Sequence, residues 1–404
     1  MKNDLLKQAL TPAYVFSADE LLGRIRMMQA FLGSGVRLVY AVKANPFLIR
    51  TLRDAADGFE VCSPGEVRLC IRSGIPPEKL IISGVNKEPD VYADFVRRYK
   101  DLPVYTAESP AQMNMLNAAA LRYGTRIRVL LRLSGGNQFG MDEKTLREQI
   151  SQRESFPGLV ITGIQQYTGT QKRSRQILRE IARFDDFLCS FDFLTEAEYG
   201  PGLPVSYFTD ETDLPDEELL KPLSSAIAQM RFTGRITLEI GRFLAAHCGY
   251  YLTKVTETKC NDGGLFAITD GGIHQMNYYH QFMGMKNPHM RVLGPAASPQ
   301  KEPRQIFQAR ESDNTGNEIR HWTVCGSLCT VSDILVRDLP LPLLEPDDLL
   351  VFERTGAYSV TEGISLFLSR DLPRIYLCEE GNLKLIRDKI LTEDLNYGRT
   401  DPVA

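Results

Sequence analysis

The first part of the chain repeats one pattern of hydrophobic and polar positions. Short apolar, β-rich runs end in a polar or glycine residue, and each is followed by a segment with helical spacing of apolar residues. Eight runs predict strands: Arg37–Val42, Phe59–Cys62, Leu80–Ile82, Pro103–Thr106, Arg126–Leu133, Leu159–Gln166, Asp192–Ala197 and Arg235–Ile240. Strands that alternate with helices predict parallel pairing, and eight such units favour a closed (β/α)8 barrel over an open doubly wound sheet.

Three of the helical segments begin with capping signals. Asn45, Ser63 and Ser109 each precede a proline, which suits the first turn of a helix. Ser63 with Glu66, and Ser109 with Gln112, also fit the spacing of a capping box. These signals predict turns of helix that begin directly after the strands.

The pattern changes after about residue 243. Runs separated by Gly, Asn or Asp turns predict strands at Tyr250–Val255, Leu265–Ile268, Arg304–Ala309, Ile319–Val324, Leu349–Glu353 and Arg374–Leu377. One short helix is predicted at Val331–Val336. The opening run, Thr11–Phe16, is also strand-like and predicts pairing with this second domain.

The chain therefore predicts an α/β domain followed by a β domain. We expect a (β/α)8 TIM barrel over residues 18–242. Residues 1–17 together with 243–404 are expected to form a C-terminal β-sandwich or β-barrel domain that completes the site.

Composition narrows the class of protein. With 404 residues, 43% of them hydrophobic and 24% charged, the chain is typical of a globular protein with two domains. The net charge of -4 comes from interspersed acids and bases, which argues against nucleic-acid and membrane partners. Because no segment approaches the roughly 18 apolar residues of a membrane span, and the first residues lack a signal core, we expect a cytoplasmic location. Eight cysteines without a CxxC pair predict reduced thiols and no metal site.

Candidate chemistry lies at the carboxyl ends of the predicted strands, where barrel enzymes place their active sites. Lys43 ends the first strand, and a partly buried lysine can form a Schiff base with an aldehyde. A lysine that only extends its amine from a barrel rim fits the position equally well. Glu239 ends the eighth strand and could keep a pyridine nitrogen protonated. Glycines at 200–202 and 241 could admit a phosphate, or could serve loop geometry alone.

Five motifs give a more specific indication. Tyr40–Asn45 resembles the cofactor-lysine motif of fold-type III pyridoxal phosphate enzymes, which include alanine racemase and the diaminopimelate, ornithine and arginine decarboxylases. Glu60–Glu66, Glu239–Arg242, Cys325–Asp333 and Asp347–Tyr358 resemble four further motifs of the decarboxylases, in the same order. Alanine racemase shares the barrel but not the last two motifs. The resemblance spans nearly the whole chain and favours the decarboxylase branch, in a divergent subgroup.

The resemblance implies pyridoxal 5'-phosphate as cofactor and the decarboxylation of an amino acid. It implies that Lys43 forms the internal aldimine and that Glu239 pairs with the pyridinium nitrogen. Cys329 would reach the site across a homodimer interface and help to protonate the quinonoid carbon after CO2 leaves. Without the resemblance, a buried structural thiol would be the favoured interpretation of this cysteine. The other residues implied around the cofactor are Glu66, Arg132, Tyr167, Thr170, Gly200, Gly202, Gly241, Arg242 and Tyr358.

Three departures from the family bear on the substrate. Tyr167 stands where the family has a histidine that stacks on the cofactor, and Thr330 replaces the glutamate that binds the distal amine of diaminopimelate. Tyr278 falls near that enzyme's substrate-binding arginine. A site built to pair with a charged end loses strongly when its partner charge is missing, so these changes argue against meso-diaminopimelate. They favour a less polar, differently charged or carrier-tethered amino acid, and the candidate contacts to its distal group are His274, Tyr278, His280, Thr330 and Asp333.

Other interpretations stay open at this point. The aromatic run at 278–280 could pack a dimer interface instead of contacting substrate. The same cofactor could serve an amino-acid racemase or epimerase. A non-catalytic regulator, as antizyme inhibitors resemble ornithine decarboxylase, is disfavoured because Lys43, Glu239, Cys329 and Tyr358 are all present.

Overall fold

The computed structural model describes residues 1–278, 283–294 and 319–398, together with the backbone of 304–305. The chain forms two compact units. The first comprises Met1–Leu21, Ser206–Asp213 and Ala245–Ala404, and the second comprises Leu22–Val205 and Leu214–Leu244.

The internal segment Ser206–Asp213 differs from the expected limits, which placed it in the barrel. It belongs to the first unit because its backbone and side chains bond there. The Thr209 amide donates to the carbonyl oxygen of Asn287 at 2.9 Å, and Arg354 forms an ion pair with Asp213 at 2.5 Å. Turn-rich sequence gives no local signal for such a long-range contact.

Eight parallel strands close the barrel. After β1 (Ala13–Ser17), which belongs to the first unit, the barrel strands are β2 (Val36–Ala41), β3 (Gly58–Val61), β4 (Leu80–Ile82), β5 (Val104–Ala107), β6 (Ile127–Leu133), β7 (Leu159–Tyr167), β8 (Glu196–Gly200) and β9 (Arg235–Ile240). Closure is made by β2, which pairs in parallel with both β3 and β9. The prediction of an eight-stranded parallel barrel is confirmed.

One predicted barrel strand is displaced along the sequence. The prediction began at Asp192, whereas β8 begins at Glu196. The beginning of the predicted run lies outside the sheet, where the ring of Phe193 packs on Phe191 and under the guanidinium of Arg153.

The interior of the barrel is filled with side chains. Val39, Ile81, Val104 and Leu130, from four different strands, are buried and pack together as one cluster. A barrel filled in this way has no open channel, so its chemistry is confined to the ends of the strands.

Helices connect the strands. They are α1 (Asn3–Leu6), α2 (Ala18–Leu32), α3 (Ile49–Leu52), α4 (Pro64–Arg72), α5 (Pro89–Tyr99), α6 (Pro110–Arg122), α7 (Glu143–Ser151), α8 (Ser174–Leu188), α9 (Asp216–Ala228), α10 (Arg242–Ala245) and α11 (Glu393–Asn396). No helix in the described ranges is both long and apolar enough to cross a membrane.

The predicted cap of α4 forms, with a shifted return bond. Ser63 Oγ accepts from the amide of Glu66 at 3.2 Å, and the Glu66 carboxylate accepts from the amide of Cys62 at 2.6 Å. In a regular capping box the return bond goes to the amide of the capping residue itself, whereas here it goes to the amide of the preceding residue, Cys62. It ties the start of the helix to the end of β3.

The first unit contains a ten-stranded mixed sheet within the described residues. Besides β1 its strands are β10 (Gly249–Asn261), β11 (Gly264–Thr269), β12 (Met290–Leu293), β13 (Arg304–Gln305), β14 (Ile319–Cys325), β15 (Ile334–Pro342), β16 (Leu349–Phe352), β17 (Arg374–Glu379) and β18 (Asn382–Arg387). β1 lies between β10, antiparallel to it, and β17, parallel to it, as the opening run predicts. A barrel followed by a separate, β-rich domain is confirmed as the fold class.

The predicted helix at Val331–Val336 is wrong. Residues 331–333 form a turn, and β15 starts at Ile334, which pairs with Cys325 of β14. The short apolar run fits either structure on periodicity alone, and the neighbouring strand decides between them.

Candidate active site

The Lys43 ammonium lies at the end of β2 and contacts two carboxylates. Its side chain sits in a single 3-10 turn, Val42–Ala44, and donates to Glu60 Oε2 at 2.8 Å and to Glu239 Oε1 at 2.7 Å. The lysine side chain is 34% exposed, whereas those of Glu60 and Glu239 are 2% and 5% exposed. The amine therefore occupies the open side of a buried acidic cluster. The ring of Tyr167 lies beside it, with its centroid 5.7 Å from the nitrogen.

Glu198 completes a cluster of three buried glutamates. Ligand oxygens of Glu60, Glu198 and Glu239 lie within 4.8 Å of one another. Burial and the charge on Glu60 raise the pKa of Glu239 to about 7. Burial and both neighbouring carboxylates hold the pKa of Glu198 well above its usual range. Burial opposes ionisation of Glu60 as well, but the Lys43 ammonium and hydrogen bonds bring its pKa down to about 2. Glu60 is thus the ionised partner of the lysine.

The cluster contains unsatisfied hydrogen-bond acceptors. Among the described residues, Glu239 Oε2 and both carboxylate oxygens of Glu198 have no hydrogen-bond partner although they are buried. The unsatisfied buried oxygen of Glu239 can accept a hydrogen bond from a protonated ring nitrogen. The partly exposed amine of Lys43 can bind an aldehyde, so the two residues together fit one planar cofactor that carries both groups. A metal ion is less compatible with the cluster because the Lys43 ammonium already lies between two of its carboxylates.

Two glycines at the end of β8, Gly200 and Gly202, lie close to the segment that follows β7. A side chain at Gly200 would place its Cβ 2.6 Å from Tyr167 Cδ2. Gly202 has a φ of 60°, and a Cβ there would collide with the carbonyl oxygen of Gly169. Neither position has room for a side chain, and glycine there lets backbone N–H groups approach an anion such as a phosphate closely.

A hydroxyl and a guanidinium lie at the same rim of the barrel. Arg242, which opens α10, donates through Nε to Thr170 Oγ1 at 3.3 Å. Gly241 precedes it in the turn after β9, and its carbonyl accepts from the amide of Leu244 at 3.1 Å. The structure thus brings together, in one unit, the phosphate residues that the resemblance implies for the barrel.

Two other predicted pocket residues already have partners. Arg132, at the end of β6, is buried and pairs with Glu108 at 2.9 Å. Glu66 is bound to the amide of Cys62. The thiol of Cys62 lies 3.8 Å from Lys43 Nζ, and burial holds the pKa of that thiol well above its usual range. Glu66 therefore positions the segment beside the lysine.

Sequence analysis missed three members of this site as candidates: Glu60, Glu198 and Cys62. The two glutamates carried a usable signal. Each lies on a strand whose inner positions are buried, and a charge in such a strand is costly unless it has a partner or a function. Cys62 carried no such signal, because a buried thiol is ordinary in a barrel.

Asp333 organises a loop of the first unit. Its carboxylate accepts from the amides of Ile273 at 2.9 Å and Leu328 at 2.7 Å, which joins two loops. The same loop leaves Cys329 exposed and Val331 95% exposed. A buried structural thiol is therefore excluded for Cys329 within this chain. Thr330 bonds Ser332 side chain to side chain at 2.9 Å.

The remaining predicted substrate contacts differ in their surroundings. His274 is buried, and burial with the nearby Arg370 charge lowers its pKa to about 4. Tyr278 is also buried, packs on Tyr207 with ring centroids 5.6 Å apart, and donates its hydroxyl to the carbonyl oxygen of Glu353. These surroundings favour a packing role for Tyr278 over contact with the substrate. His280 lies outside the described residues.

Tyr358, predicted at the phosphate, is half-buried and has a φ of 66°. Its carbonyl accepts from the amides of Thr361 at 2.8 Å and Glu362 at 3.0 Å. The strained backbone is thereby held at the turn Gly356-Ala357-Tyr358, which ends the motif Asp347–Tyr358.

Comparison with known proteins identifies the family. The family described as "Pyridoxal-dependent decarboxylase, C-terminal sheet domain" matches residues 13–356. The chain belongs to the pyridoxal-dependent decarboxylases. It is thus an amino-acid decarboxylase that uses pyridoxal phosphate, as the five motifs predict, and the racemase and regulator alternatives are not favoured.

Relatives of this decarboxylase match it over almost their full length. It is 27% identical to the L-glutamyl-[BtrI acyl-carrier protein] decarboxylase of Niallia circulans, covering 97% of this chain and 94% of that protein. It is 26% identical to the diaminopimelate decarboxylase of Zymomonas mobilis, covering 97% and 93%. The solved diaminopimelate decarboxylase of M. jannaschii has the same fold, with a TM-score of 0.81 at 21% identity over 99% and 94% of the two chains.

Proposed function

We propose that this decarboxylase acts on an amino acid that a carrier protein holds through its side chain, rather than on free meso-diaminopimelate. The observation that carries the proposal is the replacement of the charged residues that the family uses for the distal end of diaminopimelate. Thr330 is uncharged, and Tyr278 is buried with its hydroxyl bonded inside its own unit. A free ammonium or carboxylate at the distal end would meet no counter-charge from either position.

The chemistry restricts how such a substrate is attached. Loss of CO2 through pyridoxal phosphate requires a free α-amino group and a free α-carboxylate. The attachment must therefore use the side chain, and a side-chain carboxyl joined to a carrier has lost its charge. An L-glutamyl group on an acyl-carrier protein, the substrate in the name of the Niallia circulans relative, has this form.

The residues of the barrel would have distinct roles in binding the cofactor. When bound, the cofactor supplies the conjugated ring that accepts the electron pair left at Cα. Lys43 would hold the cofactor, Glu239 would face the ring nitrogen, and Tyr167 would lie against the ring. The barrel residues proposed to bind the phosphate are Thr170, Gly200, Gly202, Gly241 and Arg242, and the resemblance to the family adds Tyr358 of the first unit.

A proton must return to Cα after CO2 leaves, and we assign this step to Cys329 of a second copy of the chain. The thiol is exposed on a loop whose tip also exposes Val331, an apolar residue that a partner would cover. A thiol can act as a general acid. The proposal thus includes a homodimer with shared sites. A cytoplasmic location is supported by eight cysteines of which none forms a disulfide.

Release of CO2 tests the proposed substrate. Purified protein with pyridoxal phosphate is supplied in turn with L-glutamyl-[BtrI acyl-carrier protein], its pantetheine thioester counterpart, free L-glutamate, L-ornithine and meso-diaminopimelate. We expect the two thioesters to release CO2 and the free amino acids to release little. Faster turnover of meso-diaminopimelate than of either thioester would overturn the proposal. Exchange of the Cα proton without CO2 would indicate a racemase instead.

A further inference from the structure

The loop that carries Cys329 is closed at its base by Asp333. A main-chain bond makes the first closure, since the amide of Gly326 donates to the carbonyl oxygen of Asp333 at 3.0 Å. The buried side chain of Asp333 makes the second, because its Oδ2 accepts from the amide of Leu328 at 2.7 Å. Leu328 directly precedes Cys329, so the carboxylate fixes the backbone from which the thiol projects.

The other oxygen of the same carboxylate binds a second segment of the chain. Asp333 Oδ1 accepts from the amide of Ile273 at 2.9 Å. The two segments also bond to each other directly, since the amide of Ser327 donates to the carbonyl oxygen of Gly271 at 2.7 Å. The carboxylate therefore joins the loop of the thiol to residues 271–273.

Two glycines make room for the carboxylate between these segments. A Cβ at Gly272 would lie 2.7 Å from Asp333 Oδ2. A Cβ at Gly326 would collide with both oxygens of Asp333 and with the Cα atom of Gly272. Backbone therefore encloses the acid on two sides, and neither segment has room for a side chain at the contact.

The second segment is itself fixed to the sheet. The amide of Gly271 donates to Thr253 Oγ1 of β10 at 2.9 Å. The Asp270 carboxylate accepts from the Thr253 hydroxyl at 2.7 Å and from the Lys254 amide at 2.8 Å. Asp333 thus attaches a loop with an exposed thiol to a segment that β10 holds in place. Support of this kind is what a reacting group needs to keep its direction.

The contact requires a carboxylate. Each oxygen of Asp333 faces an N–H group, so an asparagine, which has one oxygen and one NH2 group, would leave one amide without an acceptor. Burial raises the pKa of Asp333, although the two amides and the charge of Arg370 act to lower it. A raised pKa means that the ionised acid costs stability at neutral pH. Positions that cost stability are typical of functional sites.

We propose that Asp333 is the positioning residue for the thiol of Cys329 and holds it in the direction from which the proton returns to Cα. This inference rests on the proposed function, which assigns the proton to Cys329. Both oxygens of Asp333 already accept hydrogen bonds, which favours this role over the substrate contact that the resemblance implies. Without the carboxylate the thiol would be present but misplaced, and a displacement of about 1 Å can slow a reaction by about 100-fold.

Hydrogen exchange tests the attachment without any turnover. Asp333→Ala should speed exchange of the Leu328 and Ile273 amides together by about tenfold or more, because each loses a hydrogen bond to a charged group. Asp333→Asn should speed one of the two amides and leave the other near wild type. The asparagine variant keeps the size of the side chain, so it carries the comparison if the alanine variant does not fold.

The matched control is a second buried acid of the same unit. Asp348 closes a turn before β16, and its Oδ2 accepts from the amide of Glu345 at 2.9 Å. Asp348→Asn therefore disturbs a comparable bond at another place in the sheet. It should leave exchange of the Leu328 and Ile273 amides unchanged.

The return of the proton tests the functional consequence. Protein with pyridoxal phosphate turns over L-glutamyl pantetheine thioester in deuterated water, and CO2 release and the configuration at Cα of the product are measured. We expect Asp333→Ala to show most of the loss that Cys329→Ala shows. The double variant should stay within about twofold of Cys329→Ala, because a residue that acts through the thiol has no effect once the thiol is gone. Asp348→Asn should behave as wild type.

The outcomes that overturn the positioning role differ from those that overturn the proposed function. Normal exchange of the Leu328 amide in Asp333→Ala, or losses that multiply in the double variant, would remove the positioning role and leave the thiol as proton donor. Wild-type behaviour of Cys329→Ala would remove the proton donor, and the positioning role with it. If wild type decarboxylates only free amino acids, the proposed substrate fails, and the same variants compared on meso-diaminopimelate still decide the role of Asp333.

Discussion

The Lys43 ammonium lies 2.7 Å from Glu239 Oε1, although the two residues are separated by 196 positions in the sequence. The closure of the barrel makes the contact, because β9 pairs with β2 so that Glu239 lies opposite Val39. Lys43 follows β2 in a 3-10 turn that returns its amine to the rim of the barrel. An amine that can hold an aldehyde and an acid that can meet a ring nitrogen are thereby fixed in one place.

Lys43→Ala should remove the covalent link to the cofactor. In wild type, the imine gives an absorbance band near the edge of the visible range that survives gel filtration. Among the described residues, Lys43 is the lysine that forms an ion pair with Glu239, so no second amine stands ready to replace it. We therefore expect the variant to lose the band on gel filtration. Persistence of the band in Lys43→Ala would contradict the assignment.

Glu239→Gln should keep the cofactor but slow the reaction. The amide preserves the size of the side chain and removes the negative charge that would favour a protonated ring nitrogen. Because electrostatic stabilisation of this kind is worth factors of about 100 or more, kcat should fall by about that amount while the imine band remains. Absorbance and CO2 release measured on one sample check both parts. Wild-type kcat in Glu239→Gln would exclude the role.

Cys329→Ala should impair the return of the proton. We expect CO2 release to fall by about tenfold to 100-fold, or the product made in deuterated water to lose its single configuration at Cα. Cys260→Ala is the matched control, since Cys260 is also an exposed thiol and lies in the sheet at the end of β10. Equal behaviour of the two variants would remove Cys329 from the mechanism.

Lys172→Met should destabilise the barrel and loosen the cofactor together. The Lys172 ammonium is buried and binds Glu180 at 2.6 Å and Thr168 at 2.5 Å, and its amide donates to Gly202. Removing one member of a buried pair costs about 3 kcal/mol or more, which urea unfolding measures. Since the pair ties the loop that carries Thr170 to Glu180 of α8, which also accepts from the hydroxyl of Tyr199 on β8, cofactor should also be released faster.

The matched control for that pair lies on a neighbouring helix. Lys221 binds Glu217 on the exposed surface of α9, so Lys221→Met should change stability little. Lys172→Arg, which keeps the charge, should restore part of the cofactor retention. A Lys172→Met variant that is destabilised but retains cofactor normally would show that the pair supports the fold alone.

His274→Gln should reduce the loss of stability that the protein shows in mild acid. Burial lowers the pKa of His274 from 6.5 to about 4, so the folded state favours the neutral ring. Its contribution is complete above pH 6.5 and is lost as the pH falls toward 4. Unfolding midpoints from pH 7 to pH 4 should therefore fall less steeply in the variant. His321→Gln replaces an exposed histidine and should follow wild type.

The sequence predicts the barrel well because its signals are local. Apolar runs locate strands such as Leu80–Ile82 and Arg235–Ile240 with the bounds that the structure shows, and Ser63 and Ser109 correctly start their helices. The sheet unit is harder to predict. The run at Val331–Val336 fits a helix until β14 is placed beside it.

The residues of the site also differ in whether local sequence is enough to predict them. Lys43 and Glu239 can be found because their motifs are contiguous in sequence. The partnership of Lys43 with Glu60, and the approach of Glu198 to both acids, depends on three strands that meet only when the barrel closes. Periodicity shows that these residues are on strands but does not show which strands are neighbours.

The cluster of Glu60, Glu198 and Glu239 also makes the uptake of cofactor a proton-exchange reaction. Beside the ionised Glu60, the raised pKa values of Glu198 and Glu239 let these two acids retain protons before the cofactor arrives, and a cationic ring nitrogen and a changed amine alter how many they keep. The heat of cofactor binding should consequently depend on the ionisation enthalpy of the buffer. Replacing Glu198 by glutamine should change the number of protons exchanged.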